Sequence, residues 1–299
     1  MPELPDLEVY REALEARILG TRLEGARLTS PFLLRSVSPP LKEANGRQVV
    51  GLRRLGKRLV FALEEELFLV LHLMVAGRLR WKSPGTEPPK RSGLAALDFT
   101  PGTLILTEAG SKKRASLHLV EGLEALASHD PGGVEPLQVD LEGFRAVLES
   151  ERHTLKRSLT DPHLFAGIGN AYSDEILHRA RLSPFKLSDS LSSEDSERLF
   201  DATRTTLEEW TERLKIEVGD GFPEKVTAFR PEMAVHGRYD KPCPDCEAPV
   251  QRILYAETEA NYCARCQTEG RILADRVLSR LLKKDWPKNL EELEQQRNR

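Results

Sequence analysis

The chain has 299 residues, 39% hydrophobic and 30% charged, and its 44 Lys and Arg against 47 Asp and Glu leave a net charge of −3. That length exceeds one ordinary domain of about 100–200 residues and predicts two compact units, each with its own core. The longest apolar run, Leu67 to Gly77, is too short to span a bilayer and contains His72, and Glu3, Asp6 and Glu8 stand where an export signal would be basic, so neither a transmembrane helix nor export is expected and a cytoplasmic location is.

The chain opens Met1-Pro2-Glu3-Leu4-Pro5. A small second residue lets the initiator methionine be removed, which would leave Pro2 as a secondary amine beside the Glu3 carboxylate. An α-amino group of ordinary pKa near ~8 is partly unprotonated at neutral pH and can attack an electrophilic carbon. Taken alone, a proline and a glutamate here simply start a helix. The spacing of Leu7, Tyr10, Leu14 and Ile18 predicts that helix over 6–19, stopped by Gly20.

Short β-type runs follow at 22–29, 48–54, 59–63, 67–74, 94–99 and 103–107, the pattern of a β-sandwich or barrel. Three basic clusters lie among them: Arg53-Arg54 with Lys57-Arg58, Lys90-Arg91, and Lys112-Lys113-Arg114. Gathered on one face, they would neutralise several phosphates. Lys57 sits where a loop after Leu55-Gly56 enters the strand Leu59-Val60-Phe61, a place from which it can point into a cleft.

The Gly/Pro-rich passage 129–136 predicts a domain boundary. Beyond it the chain reads as helical over 141–149, 153–160, 170–180 and from Ser193 to about Glu217, with Ser192 and Asp195 as a capping box for the last. Gly167-Ile-Gly169-Asn170 lies between two of these helices, where backbone N–H groups at a helix start can hold a phosphate; a plain helix–helix turn would read the same. Cys243, Cys246, Cys263 and Cys266 are the only cysteines, two C-x-x-C pairs on a hairpin over 241–267, the pattern of a closed structural zinc site of four thiolates. Two disulfides would fit the spacing but not a chain without an export signal.

Taken together, Met1-Pro-Glu-Leu-Pro5, His72-Leu-Met74, Gly167-Ile-Gly-Asn-Ala-Tyr172 and the four-cysteine hairpin resemble the formamidopyrimidine-DNA glycosylase / endonuclease VIII family of base-excision repair enzymes. The resemblance implies an α+β multidomain fold. An N-terminal helix plus β-sandwich catalytic domain (1–128) precedes a helical helix–two-turn–helix domain (137–236), a zinc-finger β-hairpin (237–267) and a C-terminal helical extension (268–299), with damaged double-stranded DNA held between the main domains. It implies a monomer that excises oxidised or ring-opened bases and nicks the strand. Pro2 would be the nucleophile at C1′, Glu3 the acid/base, and Lys57 a phosphate contact that assists elimination. Met74 would fill the gap left by the flipped base. Lys156, Asn170 and Arg238 would contact DNA, with Arg91 and Lys112 from the basic clusters, and one structural Zn2+ would sit on Cys243, Cys246, Cys263 and Cys266.

The sequence departs from the family pattern at several places. The segment Glu108-Ala-Gly-Ser-Lys-Lys-Arg-Ala115 replaces a stretch that supplies an arginine and a phenylalanine wedge. The hairpin tip, 255–262, carries Glu257 and Glu259 and no arginine, so it is expected to repel a phosphate backbone. The stretch 219–230 is unlike the family's loop over oxidised purines. His236 stands for tyrosine in Val235-His-Gly-Arg-Tyr239, and Leu273, Val277 and Leu281 are expected to pack the C-terminal extension onto the core. A relative that binds damaged DNA without excising a base is the alternative reading, and Pro2, Glu3 and Lys57 favour the enzyme.

Overall fold

The structure, a computed structural model, describes residues 1–255, 258–274, 278–282 and 286–297. It divides into two compact units: Met1–Gly133 with Glu209–Ala228, and Val134–Glu208 with Phe229–Arg299. No helix among the described residues is long and apolar enough to cross a membrane.

The first unit begins with α1 (Leu4–Ile18), which buries Leu7, Tyr10, Leu14 and Ile18 on one stripe. Eight strands follow: β1 (Leu23–Leu28), β2 (Val49–Leu55), β3 (Arg58–Leu63), β4 (Leu67–His72), β5 (Gly77–Lys82), β6 (Gly93–Phe99), β7 (Gly102–Glu108) and β8 (Ser116–Glu121). They form two antiparallel four-stranded sheets, in the orders β1-β6-β7-β5 and β2-β3-β4-β8. Leu59, Phe61, Leu69, Leu71, Leu117 and Leu119 of one sheet share a core with Leu79, Leu97, Leu104 and Leu106 of the other and with the α1 stripe. The sequence reading leaves β5 and β8 unassigned. β5 alternates apolar with polar residues, Leu79 and Trp81 between Arg78, Arg80 and Lys82, and β8 does so over its first four residues, Ser116, Leu117, His118 and Leu119.

A short α2 (Leu123–Ala127) covers the outer face of the second sheet through Leu126, against Val60, Ala62, Phe68 and Val70. The segment 209–228 completes the unit. Phe222 lies 5.7 Å from the Tyr10 ring and 6.4 Å from Trp81, and Val226 enters the core. Arg17 donates to the carbonyls of Asp220 and Gly221 at 2.8 and 2.7 Å, and Lys82 pairs with Glu224 at 2.8 Å.

The second unit holds α3 (Leu141–Glu149), α4 (Leu155–Thr160), α5 (Asn170–Arg179) and the first part of α6 (Ser193–Val218). The Asp195 N–H donates to Ser192 Oγ at 3.1 Å at the start of α6, half of the expected capping box. Phe144 packs between Phe165 and Phe200 in the helical core. Then come β9 (Val250–Tyr255) and β10 (Thr258–Cys263), an antiparallel pair, followed by α7 (Ala264–Thr268), α8 (Leu278–Leu282) and α9 (Leu290–Arg297). The extension packs on the finger core through Leu273, Trp286, Leu290 and Leu293, and its own two arms are joined by Ile272 N–H to Lys288 O and Leu290 N–H to Gly270 O. Of the three residues expected to carry this packing, Leu273 is buried, Leu281 is 75% exposed, and Val277 lies outside the described residues.

Candidate active site and metal centre

In the first unit the candidate site is built around the chain start. Pro5 and Asp6 open α1, and the Glu3 N–H donates to Asp6 Oδ2 at 3.0 Å, which fixes the backbone entering the helix. Pro2 and Glu3 are buried. The terminal amine on Met1, one residue ahead of the Pro2 nitrogen, is held below its ordinary value of 8.0, chiefly by burial. Arg78 and Lys57 are near enough to lower it further, against the opposing carboxylates of Glu3 and Asp6. Burial and nearby cations both disfavour the ammonium form, so the environment favours a free amine.

Two ties hold Lys57 near this amine. Leu55 and Arg58 pair, leaving a two-residue turn of Gly56 and Lys57 in which Gly56 takes φ +56, a value glycine accepts without cost. Arg54, whose side chain is only 8% exposed, donates to Glu8 Oε1 at 2.7 Å and to the Gly56 carbonyl at 3.0 Å, so one guanidinium joins α1 to the turn. Burial alone would raise Glu8, but hydrogen bonds from Arg11 and Arg54 hold its carboxyl below the usual range. Arg54 therefore leaves the basic surface the sequence suggested, while Arg53 is exposed.

Arg78, absent from the sequence reading, sits on β5 and donates to the carbonyls of Val226, Gly77 and Val75 at 2.6, 2.7 and 3.1 Å. The β4–β5 turn that it clasps is tight: the Gly77 N–H donates to Leu73 O at 2.9 Å, and a Cβ on Gly77 would fall 2.2 Å from that oxygen. Met74 adopts a left-handed φ of +52 and is half-buried, whereas Val75 is 57% exposed. The residue this turn exposes most is thus Val75, with Met74 half-buried beside it. Nearby, His72 Nε2 is buried without a partner, and its ring is pushed down to about 4, first by burial and then by Arg58, Lys57 and His118. The His118 and His129 rings meet at a tilt of 59° with centroids 4.6 Å apart.

Arg91 and Lys112 are exposed and have no internal partner among the described residues. The Lys112 loop hangs on Glu108, 2% exposed, whose carboxylate accepts the N–H of Arg114 at 2.9 Å and of Ala115 at 3.1 Å. This departure from the family pattern is an internal staple.

In the second unit α4 and α5 are joined by a turn in which Gly167 takes φ +81. Val134 pins that turn by exchanging backbone hydrogen bonds with Leu164 and Ala166. Lys156 does not face outward as expected of a DNA contact. Its ammonium donates to Asn170 O at 2.7 Å, Ser173 Oγ at 2.8 Å and Asp174 Oδ1 at 2.5 Å, so all three donors are used inside. Asp174, fully buried, also accepts from His236 Nδ1 at 2.8 Å and Asn261 Nδ2 at 3.3 Å. Asn170 begins α5, half-exposed, with its Nδ2 on Glu259 O at 2.8 Å. Arg238 donates to Pro231 O and Pro242 O and lines a cavity of about 190 Å3 with Arg230, His236 and Lys241. At the hairpin tip Glu257 lies outside the described residues, and Glu259 faces Arg252 of the paired strand at 3.8 Å, which offsets the expected repulsion there.

The four cysteines converge. Their sulfurs lie within 4.8 Å of one another, with Cys246 to Cys263 at 3.4 Å and Cys243 to Cys266 at 3.9 Å. A zinc ion with four Zn–S bonds of ~2.3 Å in a tetrahedron sets its sulfurs ~3.8 Å apart, so the donor set fits that ion. Burial pushes the Cys263 thiol up to about 12 and raises Cys266 as well, so a cation is needed to hold all four as thiolates.

Comparison with known proteins places these features together. Residues 1–110 match the formamidopyrimidine-DNA glycosylase N-terminal domain, and residues 133–220 the H2TH domain of the same glycosylase. A formamidopyrimidine-DNA glycosylase of Heliobacterium modesticaldum is 34% identical over 280 residues, which cover 89% of this chain and 100% of that protein. One of Thermus thermophilus is 33% identical over 290 residues, 90% of this chain and 100% of its own length. Among solved structures, the Lactococcus lactis formamidopyrimidine-DNA glycosylase non-covalently bound to DNA containing an abasic site superposes with a TM-score of 0.77 at 26% identity, over 89% of this chain and 99% of that one. A mutant of the same protein with DNA containing Fapy-dG gives a TM-score of 0.77 at 27% identity, over 89% and 100%.

Proposed function

Because the chain belongs to the formamidopyrimidine-DNA glycosylase family, we propose that it excises oxidised or ring-opened bases from duplex DNA as a monomer and cuts the resulting abasic strand, with Pro2 as nucleophile. The observation that carries this reading is the setting of the terminal amine: buried, lowered, and within the fields of Glu3, Lys57 and Arg78. Removal of Met1 moves the amine to Pro2 in that setting.

A base inside the duplex hides C1′, so the nucleotide must be flipped out, at a cost of a few kcal/mol that is lowest for damaged or mispaired bases. The Pro2 nitrogen then attacks C1′ as the base departs, with Glu3 as the acid/base that opens the sugar. The iminium so formed acidifies C2′, and loss of that proton expels the 3′ phosphate. Lys57, on its rigid two-residue turn, holds a phosphate through this step. Val75 at the tip of its strained turn supports entry into the space the base leaves. In the second unit the α5 N-terminus with Asn170 holds a backbone phosphate. Cys243, Cys246, Cys263 and Cys266 would hold Zn2+ as a closed four-sulfur site that would brace the finger and take no part in the chemistry.

The test is borohydride trapping on a duplex containing an abasic site, with mass spectrometry to establish that the chain starts at Pro2. A covalent species is expected from the wild type and a sharp loss of it from Pro2→Gly. Binding of the same duplex with no trapped species, once Met1 is gone, leaves the non-excising alternative in place of the enzyme.

A further inference from the structure

The finger segment is seated along one stripe of α5. Asn170, Asp174 and His178, spaced by four residues, face the same way on a helix. Asn170 reaches Glu259 O, and Asp174 reaches Asn261 and His236. Beside them Glu175 accepts the N–H groups of Ala234, Val235 and His236 at 2.7 to 2.9 Å. His178 is the last member of the stripe and touches the cysteine cluster itself. It is 4% exposed, and its Nε2 lies 3.3 Å from Cys243 Sγ. A ligand atom of His178 also lies within 4.8 Å of one from Asp245, inside the first C-x-x-C knuckle, and one from Cys266.

We propose that His178 is a positioning residue for the metal, donating its Nε2–H to the Cys243 thiolate and thereby slowing the loss of zinc. The proposal rests on the zinc reading of the four cysteines. Four thiolates around one Zn2+ leave a net charge of −2 in a place that is half buried, and an N–H aimed at sulfur disperses part of that charge. Zinc loss begins when one thiolate detaches or takes up a proton. A sulfur whose lone pair already accepts a hydrogen bond is less basic, so Cys243 becomes the slowest of the four to let go. Three other lines from α5, through Asn170, Asp174 and Glu175, hold residues on both sides of Cys243 against the helix. His178 is not a fifth ligand, because four sulfurs complete the tetrahedron.

The experiment uses the zinc-loaded full-length chain as wild type, His178→Phe and His178→Gln, the last of which keeps an N–H donor. Zinc per chain is measured first. If the wild type holds none, the zinc reading fails, separately from the inference about His178. Zinc transfer to a chromophoric chelator is then timed: loss of a second-layer partner predicts release about 10–100-fold faster in His178→Phe, with His178→Gln within about threefold of wild type. In the cobalt-substituted proteins the sulfur-to-metal charge-transfer bands of His178→Phe shift to longer wavelength while the tetrahedral four-sulfur pattern persists. Equal release rates in all three proteins overturn the proposal, as does a wild-type cobalt spectrum of three sulfurs and one nitrogen. Should His178→Phe fail to fold, the wild type decides alone: with a spin-active cadmium isotope in the site, scalar coupling from the metal to the His178 Hε2 proton is expected, and its absence overturns the assignment.

Discussion

His72 links the architecture of the first unit to a measurable pH dependence. Its ring is pushed down from 6.5 to about 4 by burial and by Arg58, Lys57 and His118, and its Nε2 has no partner that would reward protonation. The unfolded chain therefore binds a proton between pH 6.5 and about 4 that the folded chain refuses. Stability from this group is present above the unfolded value and is lost as the pH falls through that window. Between pH 7 and pH 5 the linkage amounts to about 1.8 kcal/mol for those two values, and about 1 kcal/mol after allowance for the solvent that reaches a half-buried ring. The perturbation is His72→Leu, which keeps the volume and abolishes the titration. Urea midpoints of both proteins at pH 7 and pH 5 give the double difference, in which every other titrating group cancels. Ring NMR of the wild type should report an apparent value near 4. Parallel stability profiles for the two proteins, with a difference below about 0.3 kcal/mol, or a ring that titrates near 6.5, would refute the reasoning.

Other expectations follow from the geometry of the two units. Lys156→Ala should destabilise the chain by about 3–5 kcal/mol, because it strands the buried Asp174 charge, while leaving the salt dependence of DNA binding unchanged; a small stability change with a salt slope reduced by about one phosphate would make Lys156 a DNA contact instead. Arg54→Ala should cost about 1–3 kcal/mol by leaving Glu8 without its buried donor, and should slow strand cutting by loosening the Lys57 turn. If thermal unfolding and single-turnover cleavage are both unaffected, the guanidinium does not fix that turn. Val75→Ala should slow excision more than Met74→Ala, measured on one lesion under single-turnover conditions, and the reverse order would return the wedge to Met74. Cys263→Ser should lower both zinc content and duplex affinity; retained zinc at one per chain would exclude Cys263 as a necessary ligand.

Much of this was legible in the chain. The α1 stripe, six of the eight strands of the first unit, the α4–α5 turn and the cysteine hairpin follow from periodicity, turn residues and spacing. What was not legible depended on parity and on distant pairing. Arg53 and Arg54 read alike as surface cations, yet successive strand residues point to opposite faces, and Arg54 turns to Glu8 while Arg53 stays in water. Lys156 read as a phosphate contact because nothing local announces Asp174 eighteen positions away. The short strand β5 hid Arg78, whose basic neighbours masked the Leu79–Trp81 alternation. His178 looked like one more helical residue, since its partner Cys243 is 65 positions on.

The return of residues 209–228 to the first unit bears on how the protein is made. During synthesis from the N-terminus, Met1–Gly133 emerges without the segment that carries Phe222 and Val226, so Tyr10 and Trp81 lack the Phe222 ring. Another 95 residues, Val134 to Ala228, must leave the ribosome before the unit is whole. At ~5–20 residues per second that interval is roughly 5–20 s, long against the folding time of a small β domain. The first unit of the nascent chain therefore waits, unfinished, until about half of its neighbour has been translated.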